Sequence, residues 1–86
     1  MTFAKAFGRH VDCPPEVVEG ETVREALDAY FERHPQVRGY VVDERSAVRR
    51  HVAVFLADTQ IGDRNGLSDP VGADDDVYVF QALSGG

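Results

Sequence analysis

Hydrophobic and polar positions change period several times along this chain, and each change marks an element. Residues 2–9 alternate well enough for a strand, with Phe3 and Phe7 on one face and Ala4 and Ala6 on the other. The Asp12-Cys13-Pro14-Pro15 stretch predicts a turn and Glu16-Val17-Val18-Glu19 a short second strand, so the first third reads as an antiparallel β-hairpin. After Gly20 the period becomes that of a helix. Val23, Ala26, Leu27, Tyr30 and Phe31 fall at i, i+3, i+4, i+7 and i+8, while Arg24, Asp28 and Glu32 point elsewhere. Thr22 with Glu25 three residues on forms a capping box, in which each side chain reaches a backbone N–H left unpaired at the helix start. Pro35 ends the helix by His34, because it disfavours helical geometry in the residue before it and supplies no N–H.

The pattern is weaker over residues 37–50. Tyr40-Val41-Val42 reads as a short strand or turn, and 43–50 as an exposed, charge-rich loop in which Arg49 and Arg50 are solvated. Residues 52–56 are an apolar run bounded by polar residues, consistent with a buried strand. Residues 58–65 turn away with little room for regular structure, and 66–72 predict a compact loop with Leu67 tucked in. Asp74-Asp75-Asp76 then precedes a last strand in which Val77 and Val79 face one side and Tyr78 and Phe80 the other, one of these sides meeting the helix. A hairpin, a helix, a third strand and a final strand make an α+β layer of one helix on a mixed sheet.

That last strand leads into Ala82-Leu83-Ser84-Gly85-Gly86. Two residues without a Cβ make a tail that is flexible in solution and thin enough to thread a narrow channel, and the second carries an α-carboxylate. Glycine-rich ends also arise by fraying, without function. A strand so close to the glycines would aim them, which makes the Gly86 carboxylate the functional candidate.

Composition narrows the chemistry. Fifteen acidic against nine basic side chains give a net charge of −6, which opposes binding to nucleic acid and to anionic membranes and favours a basic protein partner. No stretch approaches the roughly 20 apolar residues of a membrane span. Lys5, Arg9 and His10 interrupt the first apolar run, so a secretory signal is not expected and a cytoplasmic location is. Cys13 is the only cysteine, which precludes an internal disulfide or a Cys-x-x-Cys pair and leaves it as a loop residue. His10, His34 and His51 lack the spacing of a zinc site, and His34 suits the dipole at the helix end. The run Asp74 to Asp76 lacks the alternate spacing of a calcium loop; it reads as a solvated turn, or as a means of steering toward a basic groove. No nucleophile elbow or phosphate loop is present, so no catalytic or metal site is expected.

The strand ending in Gly85-Gly86 resembles the MoaD/ThiS family of ubiquitin-like sulfur carriers. The helix start from Gly20 to Leu27, the His34-Pro35 stop, residues 51–56 and residues 74–86 resemble that family too. Departures are Asp74-Asp75 where many relatives have Gly-Asp, Gln81-Ala82 in place of a proline-containing pair, and Ala57-Asp58 in place of an Asn-Gly turn. The resemblance implies a ubiquitin-like β-grasp fold, with a mixed sheet packed on one main helix. It also implies one domain over residues 1–86, of which 83–86 form a flexible tail, and a last strand parallel to the first. Local pattern alone does not specify that pairing. It implies a co-substrate and not an enzyme, with no permanently bound cofactor: a ubiquitin-activating-type enzyme uses ATP to adenylate Gly86. A sulfurtransferase or persulfide donor then converts the adenylate to a thiocarboxylate for a sulfur-accepting synthase. Gly85 and Ser84 would thread the channel, and Phe80 and Leu83 would anchor the partner, unless Phe80 instead completes the sheet's own core. The ending resembles the molybdenum-cofactor and cysteine branches more than the thiamine branch. Two alternatives stay open: a protein modifier joined through Gly86 to lysines, for which Lys5 is the chain's own single lysine, and a binding module with an inert tail.

Overall fold

The computed structural model describes residues 1–4, 11–72 and 75–81. Its elements run β1 (Thr2–Phe3), α1 (Val23–Arg33), α2 (Pro35–Val41), β2 (Val52–Leu56), β3 (Thr59–Gln60) and β4 (Val77–Gln81). They form a mixed sheet in the order β1-β4-β2-β3. β4 lies parallel to β1, with Phe3 opposite Val79, and antiparallel to β2, with Val54 opposite Val79 and Val52 opposite Gln81. The architecture is the α+β β-grasp expected from the sequence.

α1 carries the predicted stripe into the core, for Val23, Ala26, Leu27, Tyr30 and Phe31 are all buried. They meet Phe3, Val54, Val77 and Val79 from the sheet, together with Val37, Val41 and Leu67. Removing this apolar surface from water is the main favourable contribution to folding. Four amides at a helix start have no partner within the helix, and this helix satisfies the first three from outside. The Val23 and Arg24 amides donate to the carbonyls of Asp69 and Leu67 at 3.0 and 2.9 Å, and the Glu25 amide donates to Thr22 Oγ1 at 3.2 Å. The Glu25 carboxylate accepts from Glu21 N at 3.0 Å, one residue before the position a capping box would use. The 66–72 loop is thus a strap across the start of α1, with Leu67 buried beneath it as expected.

Three expectations are corrected. Residues 16–19 form no strand; among the described residues the hairpin is represented by one reciprocal pair, with Glu16 N donating to the Met1 carbonyl and the Met1 ammonium to the Glu16 carbonyl. Two prolines before Glu16 remove the donors a longer ladder would need. The segment 40–42 is not a strand, since Pro35 both stops α1 and begins α2, where a missing N–H costs nothing. Residues 59–60 pair with β2 after all, joined by a tight turn in which Ala57 takes φ 54°. Residues 5–10, 73–74 and 82–86, which include Phe7 of the predicted first strand, lie outside the described residues. No helix among the described residues is long and apolar enough to cross a membrane.

Candidate partner-docking site at the end of the last strand

β4 is the centre of the site because it is the inner strand that leads to the chain's end. Its side chains divide as alternation requires. Val77 and Val79 point into the core, Val79 with no exposure, whereas Tyr78 and Phe80 stand on the sheet face turned away from α1, Tyr78 being 37% exposed. This settles the position of Phe80, which lies on the open face and not in the core. Directly opposed residues of an antiparallel pair share a face, so Phe55 beside Tyr78 and Ala53 beside Phe80 complete it. The Phe55 and Phe80 rings lie 5.3 Å apart and those of Tyr78 and Phe80 5.8 Å apart, within the range of favourable ring contacts. Ala53, on the same face, is itself buried.

Sequence reasoning placed Tyr78 and Phe80 together but did not include Phe55. Its signal was the odd-numbered apolar position in residues 52–56, which becomes informative only once the register with β4 is known. Leu83, Ser84, Gly85 and Gly86 lie outside the described residues; the chain enters that segment from Gln81, opposite Val52.

The acidic run sits at the other end of β4. The Asp75 carboxylate accepts from Gly72 N at 2.9 Å, and Asp76 lies 3.6 Å from the Met1 ammonium, while Asp74 is outside the described residues. A five-residue strand is about 17 Å long at 3.3–3.4 Å per residue, so these carboxylates act on the fold's rear edge rather than on the exit of the tail. Among the described residues no three metal-capable side chains cluster. Glu16 accepts from Arg33 at 3.0 Å and contacts the His34 ring, and those two partners hold its carboxyl below the ordinary range. Burial, and after it Asp12, raises the Cys13 thiol. These groups tie α1 to the segment before it and form no reactive centre with β4.

The model of the ThiS family matches residues 5–86, nearly the whole chain and its terminal glycines with it. The chain belongs to the ThiS family. Solved structures agree with the assignment. This ThiS family protein is similar to a chain of the BexX/CysO complex of Amycolatopsis orientalis, at 26% identity and TM-score 0.70, over 83% of this chain and 79% of that one. It is also similar to SAMP1 of Haloferax volcanii, at 28% identity and TM-score 0.64, over 83% and 76% of the two chains. Another structure of that organism's small archaeal modifier protein 1 aligns at 25% identity and TM-score 0.58, over 79% and 75%. Comparison with curated proteins finds no match. The ThiS family assignment and these neighbours make the protein a ubiquitin-like carrier of sulfur or modifier of proteins.

Proposed function

We propose that this protein carries sulfur on its C-terminus as a co-substrate of other enzymes in the cytoplasm. The observation that carries the reading is the family match through Gly86, on a strand fixed along both edges beside an aromatic face. A carboxylate anion resists nucleophilic attack and must first gain a leaving group. An adenylating enzyme of the ubiquitin-activating type supplies it: a Gly86 carboxylate oxygen bonds to the α-phosphorus of ATP and pyrophosphate departs. The terminal sulfur of a persulfide displaces AMP, and a second thiol cleaves the resulting S–S bond, leaving a thiocarboxylate on Gly86. A synthase then takes that sulfur, with molybdopterin-type and cysteine-type acceptors favoured. Gly85 and Ser84 are slender enough to enter the enzyme's channel, and Phe80 with Leu83 anchors the docked chain.

The test is the intact mass of the protein isolated from its host under non-reducing conditions. Exchange of one oxygen for one sulfur at Gly86, lost when Gly86 is deleted, is the expected result. An unmodified carboxylate on all free protein overturns it. Heavier conjugates joined through Gly86 would favour the second reading, modification of lysines on other proteins, which the likeness to a small archaeal modifier protein supports.

A further inference from the structure

The end of β4 where the chain leaves the sheet is not electrostatically neutral ground. β2 begins at Val52, opposite Gln81, and is entered through a turn in which Val52 N donates to the Arg49 carbonyl at 3.0 Å. Arg50 and His51 occupy the two central positions of that turn and are exposed. The turn is braced, not loose. The Arg64 guanidinium donates to the carbonyls of both Arg49 and Val52 at 2.7 Å, Arg49 N donates to the Val41 carbonyl at 2.9 Å, and Arg49 Nε donates to the Gly39 carbonyl at 2.7 Å. Three arginines therefore meet beside the exit, and Arg49 is not merely solvated as the sequence suggested.

Among the described residues none of them forms an ion pair, and the Asp43 carboxylate is the acid near enough to Arg49 for the two charges to be felt. Ion pairs among the described residues join Met1 to Asp76 and Glu16 to Arg33 and His34, all elsewhere in the fold. Of the nearby acids, Asp43 accepts from the backbone amides of Arg45 and Ala47, and Asp58 sits at the far end of β2. In a chain of net charge −6, carboxylates are plentiful, yet among the described residues this corner sets three arginines against the single carboxylate of Asp43, which is already occupied by backbone amides. Such an arrangement is stabilised when an anion from outside arrives.

We propose that the Arg50-His51 turn, backed by Arg49 and Arg64, docks against a carboxylate-rich rim on the protein partner that receives the C-terminus. This rests on the carrier reading above and names the chemistry of its partner. It also reverses the expectation, drawn from net charge, of a basic partner at this site. Distance selects the rim over the nucleotide. Held straight in a channel, the five residues after Gln81 would span about 17 Å, so a phosphate at the Gly86 carboxylate would be far past the turn, whereas the mouth of the channel would be beside it. β2 also leads from this turn to Phe55 and so to Tyr78 and Phe80, and aromatic and arginine side chains are the types most enriched at interface centres.

The test uses the full chain and the ubiquitin-activating-type adenylating enzyme of the same genome, with affinity measured calorimetrically without ATP at low and high sodium chloride. Wild-type affinity should fall as salt rises. Arg50→Glu should weaken binding about tenfold at low salt, with the gap closing at high salt, while Arg50→Lys should bind nearly as wild type. Arg50 is exposed and among the described residues its side chain has no partner, so all three proteins should share one melting temperature. Affinity indifferent to salt and unchanged by Arg50→Glu, with Phe80→Ala still weakening it, overturns the acidic rim and leaves the carrier reading standing. Equal losses in the Glu and Lys variants also overturn it, since charge would not be what the partner recognises. Failure of the wild type to bind at all removes the carrier reading and this proposal together.

Discussion

The Tyr30 hydroxyl donates to the Pro14 carbonyl at 2.7 Å from a side chain with no exposure to solvent. Its ring also packs against Phe3 at 4.8 Å and His34 at 4.7 Å, so one residue joins α1, β1 and the irregular segment between them.

Tyr30→Phe should cost about 1 kcal/mol, the net value of a hydrogen bond whose acceptor is left behind. Burial first, then the negative groups at Cys13, Glu16 and Asp12, pushes the hydroxyl up to about 12. A folded value above the unfolded one, about 10, means that the contribution is intact below pH 10 and lost as pH rises through 12. Urea midpoints at pH 8 and pH 11 should therefore fall further for the wild type than for the Phe variant.

Ala57 holds φ 54° in the turn between β2 and β3, a region that an L side chain enters at a cost of roughly 1–2 kcal/mol. Glycine enters it freely but loses more entropy on folding. Ala57→Gly should stabilise the protein by about 0.5–1 kcal/mol, seen as a higher denaturant midpoint with an unchanged slope.

Acid should loosen the strap over α1 before the core. The Ser68 hydroxyl, followed by the Gly66 and Ser68 amides, holds the Asp63 carboxyl below its ordinary range, and the Gly62 and Asp63 amides do the same for Asp69. Depressed folded values mean stability that is present above the unfolded value, about 3.9, and lost as pH falls through the lower folded ones. Amide exchange at Val23 and Arg24, which donate to that loop, should accelerate over this window ahead of exchange at Val54. Asp63→Asn should flatten the response.

Phe80→Ala should separate binding from folding. The ring stands on the open face, where its contacts with Phe55 and Tyr78 are worth about 0.5–1.5 kcal/mol each, yet its loss should weaken the adenylating enzyme's affinity at least tenfold. Leu27→Ala, in the core, should do the reverse, costing about 2–5 kcal/mol of stability with little change in affinity of the folded fraction.

The helix was legible because both of its signals are local: a stripe repeating every three to four residues, and a cap spaced by three. All five stripe residues are buried. Leu67 was legible for a similar reason, being a lone apolar residue in a polar loop. What failed depended on the chain's partners. Glu16-Val17-Val18-Glu19 has strand composition but is preceded by prolines, and among the described residues its backbone pairs with Met1 alone. Pro35 was read as a stop, although its fixed φ serves equally as a start. The docking face needed the register between β2 and β4, since neither Phe55 nor Arg50 identifies its neighbour by spacing alone. Charge misled because it was counted over the whole chain: the acids are spread through the fold while arginines meet at one corner.

The placement of β4 between β1 and β2 has a mechanical meaning. A force applied along the axis of that strand would fall on two ladders at once, one parallel and one antiparallel. Their hydrogen bonds lie across the pull and are strained together in shear, not unzipped one by one as they would be for a strand peeled from an edge. A pull on the end of this chain would therefore be shared by both ladders before it reached the core.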